Sequence, residues 1–227
     1  MRQLPVTDLE PFDIDRAMTL VREAVQGYPK AAMFELADDG HRSLFEQTVA
    51  CLLSVRTYDE VSIVAARRLF ERAPTPEAIV EMSAEQIDAL IGTVTFHERK
   101  AEQILEIARR TIEDFGGDLP CDPDILLSFG GIGPKCTNLA LGIACGAERI
   151  SVDIHVHRVT NRWGYVRAAR PEQTMVELEQ VLPKRYWLEI NAQLVPFGKH
   201  ICTGVNPKCT TCPVNTMCRR VGVTSYR

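Results

Sequence analysis

The sequence predicts an all-α fold. Apolar residues recur at helical spacing through nearly all of the 227 residues, and 45% of the residues are hydrophobic, which is enough for a substantial core. One short stretch, "RISVDIHVHRV", alternates apolar and polar residues as a strand does, and this local pattern leaves strand and helix open. The sequence has no fixed-period repeat and no low-complexity linker, so short connections should join the helices.

Helix signals follow one another along the chain. Asp59 is expected to cap the helix "EVSIVAARRLFERA", and Ser83 with Gln86 has the spacing of a capping box. The pattern "HERKAEQILEIARRTIEDFGG" should end at Gly116 and Gly117. The other expected helices lie in "HRSLFEQTVACLLSV", "DPDILLSF", "PKCTNLALGIACG", "PEQTMVELEQVL" and "RYWLEINAQLVPFG".

Charge is distributed unevenly along the chain. The net charge of -4 and the pI of about 5.8 argue weakly against a nucleic-acid binder. However, residues 131–170 carry six basic and two acidic residues, and residues 196–227 carry five basic residues and no acidic one. An anionic partner should be drawn to these two segments whatever the total charge.

The compartment can be judged from the start of the chain and from its hydropathy. "MRQLPVTDLEPFDIDR" lacks the apolar core of a signal peptide, and no apolar run reaches the roughly 18 residues of a membrane span. We therefore expect a cytoplasmic protein that binds no membrane, in a compartment where thiols stay reduced. Four scattered cysteines are then expected to be small buried or half-buried thiols: Cys51, Cys121, Cys136 and Cys145.

The stretch "FGGIGPKCTNLALGIACG" joins a glycine-rich turn to the start of a helix. Gly131 and Gly133, with Gly130, allow a tight turn that exposes backbone N–H groups, and Pro134 suits the first helical position. Such a loop at a helix N-terminus is an anion site that fits a DNA phosphate. Taken alone, the stretch is better explained as an ordinary helix corner with a surface lysine.

Lys135 lies in the first turn of that helix, where the helix dipole disfavours a cation. A neutral lysine amine is a nucleophile that can form a Schiff base with a sugar aldehyde carbon, whereas a charged lysine would grip a phosphate. Asp153 follows at a distance that allows its carboxylate to return to the amine, although by itself it is better explained as a helix N-cap. His155 and His157 cannot face one metal site on a helix, so we assign them structural or DNA-facing roles.

Four further cysteines crowd the C-terminal segment "CTGVNPKCTTCPVNTMC". Cys202, Cys209, Cys212 and Cys218 have the spacing C-x6-C-x2-C-x5-C, which predicts a metal site. Zinc and an iron–sulfur cluster both accept four thiolates. The spacing lacks the two separated pairs of a zinc ribbon, which favours a cluster, and the expected compartment argues against a disulfide-bonded tail.

These features together resemble the endonuclease III family, the helix-hairpin-helix DNA glycosylases that carry an iron–sulfur cluster. The family has a Leu-Pro-Gly-Val-Gly-x-Lys hairpin, a Val-Asp-Thr-His segment and the same cysteine spacing, and this chain has "FGGIGPK", "VDIH" and the four cysteines. The resemblance covers roughly residues 44–218 and implies an all-α, two-lobed helix-hairpin-helix DNA glycosylase fold. Residues 28–146 would form a six-helix barrel domain, and residues 1–27 with 147–227 would form the domain of the [4Fe–4S] cluster loop.

The resemblance also implies the activity, on double-stranded DNA with a damaged base or an abasic site. A monomer at the nucleoid would bind this DNA between its lobes and flip out an oxidised pyrimidine. Lys135 would displace the base at C1′ as an imine, and β-elimination would cut the strand. Asp153 would assist deprotonation and stabilise positive charge on the sugar. The cysteines would hold the [4Fe–4S] cluster, whose loop would present Lys208, Arg219 and Arg220 to phosphates.

The sequence departs from the family where DNA is contacted. Family members commonly read Ser-Ala-Gln-Ala-Thr-Asp where this chain reads "SVRTYD", so Arg56 replaces the glutamine that fills the gap left by the flipped base. Further on, "TFHERK" puts Phe96 in place of a leucine wedge, with His97 beside it, and Gly130 replaces the hairpin proline. An arginine can stack and a phenylalanine can intercalate, whereas neutral drift would explain the same changes.

Three functions compete at this point. The first is a bifunctional glycosylase and AP lyase, and the second is a paralogue that binds damaged or abasic DNA with weak or narrowed glycosylase activity. The third is a non-enzymatic, metal-stabilised DNA-binding module. Lys135 together with Asp153 favours the first. Adenine-mismatch glycosylases share the cluster but lack the lysine and carry a further C-terminal domain, whereas this chain ends nine residues after Cys218.

Overall fold

The structure is a computed structural model that describes residues 9–227; residues 1–8, which open the expected cluster domain, lie outside the described residues. The described residues contain twelve α-helices, a 3-10 turn at Lys184–Tyr186 and no β-strand, which confirms the all-α prediction. The ambiguous stretch "RISVDIHVHRV" is helical from Ile154 onward. The helices are α1 (Ile14–Val25), α2 (Ala32–Asp38), α3 (Leu44–Ser54), α4 (Asp59–Arg72), α5 (Pro76–Val80), α6 (Ala84–Ile91), α7 (His97–Phe115), α8 (Pro123–Leu127), α9 (Pro134–Cys145), α10 (Ile154–Trp163), α11 (Pro171–Val181) and α12 (Glu189–His200).

The chain folds into two compact units. One unit is residues 32–149 and contains α2 to α9. The other unit joins the described residues before Ala32 to residues 150–227, and it contains α1 and α10 to α12.

Helix α3 is the centre of the unit formed by residues 32–149. It packs against α2, α4, α7 and α9, and even its polar residues Gln47 and Thr48 are buried. A helix that is covered all round by protein presents its side chains to several neighbours at once. Five apolar residues of α3 are also buried: Leu44, Phe45, Val49, Leu52 and Leu53.

The helix ends test the capping predictions. Ser83 and Gln86 form the expected capping box, and α7 ends at Gly116, whose φ of 67° is left-handed. The prediction that Asp59 caps α4 is wrong. The helix begins at Asp59 itself, because Tyr58 occupies the N-cap position with extended backbone. The Asp59 carboxylate belongs to the first turn, where negative charge is favourable to the helix dipole.

The scattered cysteines follow the prediction only in part. Cys51 and Cys136 are free and buried, as expected. Cys121 and Cys145 form a disulfide, so the prediction of reduced thiols is wrong for this pair. Cys121 lies just before α8 and Cys145 ends α9, and the return of α9 brings their Cα atoms to 6.2 Å. This distance is within the range that a disulfide requires.

The other unit has its own core. Helices α1 and α10 pack against α12, around buried side chains that include Met18, Trp163 and Phe197. Val214 and Met217 from the C-terminal segment complete this core, which anchors a stretch without regular helices. Within the described residues, none of the helices combines the length and the apolar composition needed to cross a bilayer.

Candidate functional site

The hairpin between α8 and α9 is anchored by buried side chains. Phe129 and Ile132 are buried, and the Ile132 N–H donates to the Phe129 carbonyl at 3.2 Å. The guanidinium of Arg110, on α7, lies 4.6 Å from the centre of the Phe129 ring and donates to the Ser128 hydroxyl at 3.1 Å. Helix α7 thereby fixes the side of the turn that precedes the glycines.

Gly131 and Gly133 serve the hairpin in different ways. Gly131 has a φ of 87°, and a Cβ there would lie 2.8 Å from Leu52 Cδ1 and 2.8 Å from Gln103 Nε2. Only glycine combines a positive φ with the absence of a Cβ at this close approach. Gly133 is the N-cap of α9 with a φ of -113°, and a Cβ there would meet nothing within 4 Å. Pro134 is the first helical residue, as predicted, so the N-terminus of α9 opens beside an exposed turn.

Lys135 forms one end of a buried cluster. Its Nζ lies 3.6 Å from Sγ of Cys51 on α3, and Cys51 in turn is hydrogen-bonded to Cys136. The hydrogen bond from Cys136 lowers the pKa of Cys51 to about 6 against the opposing effect of burial, and the Lys135 charge contributes in the same direction. The hydrogen bond with Cys51 and burial raise the pKa of Cys136. We call Lys135, Cys51 and Cys136 the cysteine–lysine cluster.

Arg56 and Phe96 come together on the surface of the same unit. The Arg56 guanidinium carbon lies 5.9 Å from the centre of the Phe96 ring, and both residues are exposed. The two loops are joined by a hydrogen bond of 3.2 Å from the Thr95 N–H to the Thr57 hydroxyl. The structure thus places side by side the two residues that replace the glutamine and the leucine of the family.

Lys100 holds the loop that carries Arg56. It is 3% exposed, and its Nζ donates to the carbonyls of Leu53 at 2.9 Å and Val55 at 2.7 Å, at the C-terminal end of α3. Burial lowers the pKa of Lys100 to about 8. The sequence reasoning missed this residue, although Lys100 lies four positions before Ile104 on the apolar face of α7, which is the signal that could have revealed it.

The His97 ring contacts a carboxylate on α6. Its Nδ1 lies 2.5 Å from the Asp88 carboxylate, and the ring is half-buried at the start of α7. This contact orients the ring beside Phe96, so His97 supports the exposed edge of the loop.

Asp153 is the N-cap of α10, as the sequence predicted. Its Oδ1 accepts hydrogen bonds from the backbone N–H groups of His155 and Val156, at 2.9 and 2.8 Å. Lys135 belongs to the unit of residues 32–149 and Asp153 to the other unit. His155 lies 3.1 Å from the Arg158 guanidinium, which donates to the Gly198 carbonyl, and His157 pairs with Thr174.

The four C-terminal cysteines line one cavity. All four are free, and the wall of the cavity includes the apolar side chains of Trp163, Phe197 and Ile201. Among the described residues, no three His, Cys, Asp or Glu side chains are arranged tightly enough to hold a metal ion. Four thiols are nevertheless the donor set of a [4Fe–4S] cluster, and an apolar wall suits a site that excludes water. The residues present therefore fit the cluster.

Arg162 fastens the cysteine segment to α10. Its guanidinium donates to the carbonyls of Thr203 at 2.6 Å and Gly204 at 2.7 Å, and it lies 3.5 Å from the sulfur of Cys202. The Cys218 sulfur lies 3.5 Å from the Arg162 carbonyl. These contacts hold the start and the end of the cysteine segment against α10.

The predicted phosphate-binding residues differ in exposure. Arg219 is exposed and its stem lies across Gly164, where any Cβ would collide with it. Lys208 is half-buried, and its N–H donates to the Ile201 carbonyl. Arg220 is also half-buried and is bound to Asn215. Arg219 is therefore the most available of the three cations.

A family model described as "HhH-GPD superfamily base excision DNA repair protein" matches residues 49–184. That range is more than half of the chain, and it contains the glycine hairpin, Lys135 and Asp153. The fold and the site thus define a helix-hairpin-helix protein of base excision DNA repair.

Curated relatives and solved structures narrow this class. The chain is 34% identical over 201 residues to Endonuclease III of Thermotoga maritima, covering 88% of this chain and 90% of that protein. It is 42% identical over 183 residues to Endonuclease III homolog 1, chloroplastic, of Arabidopsis thaliana, and there it spans 77% of this chain and 48% of that protein. A trapped endonuclease III–DNA covalent intermediate superposes with a TM-score of 0.73 at 27% identity, covering 89% of this chain and 96% of that chain. The chain belongs to the endonuclease III family of the HhH-GPD superfamily and is an enzyme of base excision DNA repair.

Proposed function

We propose that the protein is a bifunctional DNA glycosylase and AP lyase that removes oxidised pyrimidines from duplex DNA and cuts the abasic site. The observation that carries this proposal is the position of Lys135. Its amine lies in the first turn of α9, directly after a glycine hairpin whose tip is exposed. A phosphate bound at the hairpin and the helix N-terminus would hold the adjacent sugar within reach of the amine.

Lys135 and Asp153 take the proposed chemical roles. The lysine amine attacks C1′ of the damaged nucleotide, and the bond from C1′ to the base breaks. The C1′–O4′ bond of the sugar ring then opens, which gives the imine that joins Nζ to the sugar. β-Elimination then breaks the sugar–phosphate bond on the 3′ side. Asp153 assists deprotonation and stabilises the positive charge of the sugar. The two hydrogen bonds that its Oδ1 accepts from α10 fix the direction of the carboxylate.

Arg56 and Phe96 take the proposed role of filling the duplex. A flipped nucleotide leaves its partner base unpaired and a gap in the base stack. An exposed guanidinium can hydrogen-bond to the unpaired base, and an exposed ring beside it can fill the gap. The contact between them and the shared Thr57–Thr95 hydrogen bond support this role. His97 steadies the loop at its edge, and His155 belongs to the proposed DNA-facing surface of its own unit.

The four cysteines Cys202, Cys209, Cys212 and Cys218 are proposed to hold a [4Fe–4S] cluster. When bound, the cluster supplies a structural staple for the C-terminal segment and takes no part in base removal. The shared cavity and the free thiols support this assignment. Arg162 positions the segment, which presents Arg219 and Lys208 toward phosphates.

The proposed domain division follows from the same family pattern. Residues 28–146 form the barrel domain with the hairpin, and residues 1–27 with 147–227 form the cluster domain. The boundaries of the two compact units, after Ala31 and after Arg149, support this assignment within three or four residues. The retained Lys135 and the family membership favour a catalytic enzyme over a paralogue that only binds damaged DNA.

Borohydride trapping on abasic duplex DNA tests the proposed function. Lys135→Ala should abolish the trapped adduct and leave duplex binding largely intact, because the lysine forms the covalent imine. Lys184→Ala removes a lysine from the 3-10 turn and should trap like the natural protein. Undiminished trapping by Lys135→Ala would show that another amine does the chemistry.

Metal analysis tests the cluster separately. Purified protein should be yellow-brown and contain about four iron atoms per chain. Cys212→Ser should lose the colour and the iron together. A protein with one zinc ion and no iron would contradict the assignment without touching the role of Lys135.

A further inference from the structure

Tyr58 carries an exposed aromatic ring that the function proposed so far does not use. It lies two residues after Arg56, in the segment between α3 and α4, and it stands where the family segment has a threonine. Tyr58 is 81% exposed, compared with 57% for Phe96. A large ring that water covers in the free protein is a surface that a bound partner can bury.

The backbone of Tyr58 is held on both sides. The hydroxyl of Thr57, directly before it, accepts hydrogen bonds from the Thr95 N–H at 3.2 Å and from Nζ of the buried Lys100 at 3.4 Å. The Tyr58 carbonyl accepts a hydrogen bond of 2.9 Å from the Ser62 N–H in α4. An exposed side chain on a fixed backbone is pre-organised for contact, because only the side chain has to be ordered on binding.

Helix stability does not explain an aromatic ring at this position. Tyr58 is the N-cap of α4, and its side chain caps no backbone N–H group. A serine, threonine or aspartate at an N-cap would accept a hydrogen bond from the first turn and stabilise the helix. The exposure of the ring also leaves it without a role in the core.

The charges beside Tyr58 indicate which part of DNA it can contact. Asp59 and Glu60 follow it directly, in the first turn of α4. Two carboxylates next to the ring repel a phosphate, whereas the face of a base carries no net charge. Every base has a π-face on which an aromatic side chain can stack. A base is therefore a better partner for this ring than the DNA backbone is.

We propose that Tyr58 stacks on the unpaired base opposite the flipped nucleotide. This inference rests on the proposed function, in which Arg56 and Phe96 enter the space that the flipped nucleotide leaves. A guanidinium binds the edge of a base and a ring covers its face, so Arg56 and Tyr58 contact the same base without competing. Tyr58 thereby determines specificity together with Arg56, because a purine offers a larger face than a pyrimidine.

Affinity for two duplexes tests the inference on the full chain. One duplex has a tetrahydrofuran abasic analogue opposite adenine, and the other is undamaged, so that all its bases are paired. Tyr58→Ala should weaken binding to the first by about fivefold to a hundredfold, the range for losing one stacked base, and leave binding to the second unchanged. Tyr58→Phe keeps the ring and should bind both duplexes as the natural protein does. With thymine opposite the analogue, the loss in Tyr58→Ala should be smaller.

Tyr58→Thr separates the loss of stacking from a folding defect. Threonine can cap α4, so the urea midpoint of this variant should equal or exceed that of the natural protein. Its affinity for the analogue duplex should nevertheless fall as far as that of Tyr58→Ala. Val64→Thr also introduces a threonine at an exposed position of α4 and should leave the affinity for both duplexes unchanged.

A 2-aminopurine opposite the abasic analogue gives a second readout, since stacking quenches its fluorescence. The base should be dim in the complexes of the natural protein and of Tyr58→Phe. It should be brighter in the complexes of Tyr58→Ala and Tyr58→Thr at saturating protein. Equal brightness in all four complexes would show that the ring does not cover the unpaired base, and it would overturn the inference.

The remaining outcomes distinguish this inference from its alternatives. If Tyr58→Ala and Tyr58→Phe weaken binding to both duplexes alike, the hydroxyl contacts a phosphate and the stacking role is wrong. A Tyr58→Ala protein that binds the analogue duplex as tightly as the natural protein also overturns it. A natural protein that forms no borohydride-trapped adduct contradicts the proposed function instead, because binding to the tetrahydrofuran duplex requires no imine.

Discussion

The guanidinium carbon of Arg56 lies 5.9 Å from the centre of the Phe96 ring, and both residues have left-handed backbone, with φ of 56° and 59°. Such a conformation costs about 1–2 kcal/mol for a residue with a Cβ, so the surrounding contacts must hold it. Lys100 binds the carbonyls before Arg56, and Thr57 joins the two loops. Both residues proposed to enter DNA therefore have strained backbone.

The first prediction concerns the base opposite the lesion. A guanidinium offers only donors, whereas a glutamine amide offers a donor and an acceptor, so Arg56 should favour an opposite base rich in acceptors, guanine above all. Excision and abasic-site cleavage are measured opposite each of the four bases in the natural protein and in Arg56→Gln. Abasic cleavage should survive better than excision, because less stacking is lost on flipping.

Arg72→Gln makes the same chemical change at an exposed position in the last turn of α4 and is the matched control. It should keep the ranking of the natural protein. If Arg56→Gln also keeps that ranking of lesions and opposite bases, Arg56 does not determine which opposite base is preferred.

The second prediction concerns the hairpin glycines. Gly131→Ala should destabilise the protein by about 1–3 kcal/mol, since it combines a positive φ with collisions against Leu52 and Gln103. Gly133→Ala has an ordinary φ and open space, so its free energy of unfolding should change by less than about 1 kcal/mol. Urea unfolding of both variants measures the difference. Equal losses would mean that the close packing at Gly131 does not constrain the turn.

Sequence reasoning reached most of this fold because the helix signals are local. Each of these signals lies within a few neighbouring residues: the capping box at Ser83, the glycine that ends α7 and the proline that begins α9. It failed where a partner is distant in sequence. The disulfide of Cys121 with Cys145 depends on the return of α9, which no local pattern reports.

In the candidate site, too, some residues could be identified from the sequence and others could not. Lys135 and the four C-terminal cysteines could be found from spacing, because their chemistry depends on fixed intervals along the chain. Cys51 could not, since a cysteine inside an apolar helical run looks like any small core residue. The contact of the Cys51 sulfur with the Lys135 amine depends on the packing of α3 against α9.

The third prediction concerns the disulfide. Cys121 and Cys145 enclose α8, the hairpin and α9, so the bond restricts the unfolded chain across the whole motif. By the loop-entropy relation, reduction should cost about 3.5 kcal/mol of unfolding free energy. Urea unfolding with and without a phosphine reductant measures the change. The double variant Cys121→Ser with Cys145→Ser should lose the same amount and then be insensitive to the reductant; a reductant that leaves the natural protein unchanged would contradict the prediction.

The fourth prediction concerns pH. Burial lowers the pKa of Lys100 from its ordinary 10.5 to about 8. Between these values the unfolded chain binds the proton and the folded chain has released it, so the free energy of unfolding should rise with pH, by about 1 kcal/mol per unit. Lys100→Met keeps the apolar stem and removes the titration. Its unfolding free energy, measured from pH 8 to 10, should lack this rise relative to the natural protein, and identical slopes would show that Lys100 does not titrate there.

The fifth prediction concerns the basic segments. Arg219 is exposed on the C-terminal segment, and Lys208 is half-buried on the same segment, so they are unequal candidates for phosphate contacts. Binding of a phosphate releases counterions, and affinity should therefore fall steeply with salt. Arg219→Glu should weaken binding to damaged and undamaged duplexes alike and reduce the slope of log affinity against log salt by about 1. Lys208→Glu should have a smaller effect, because its side chain is less available.

Arg109→Glu reverses another exposed charge, on α7 and outside the two basic segments, and provides the comparison. If the charge distribution guides DNA, reversal at Arg109 changes the net charge of the protein by the same amount but leaves the salt slope in place. Fluorescence anisotropy of a labelled duplex at several salt concentrations measures all three variants. A slope that falls equally in Arg109→Glu and Arg219→Glu would mean that total charge, rather than the position of Arg219, governs binding.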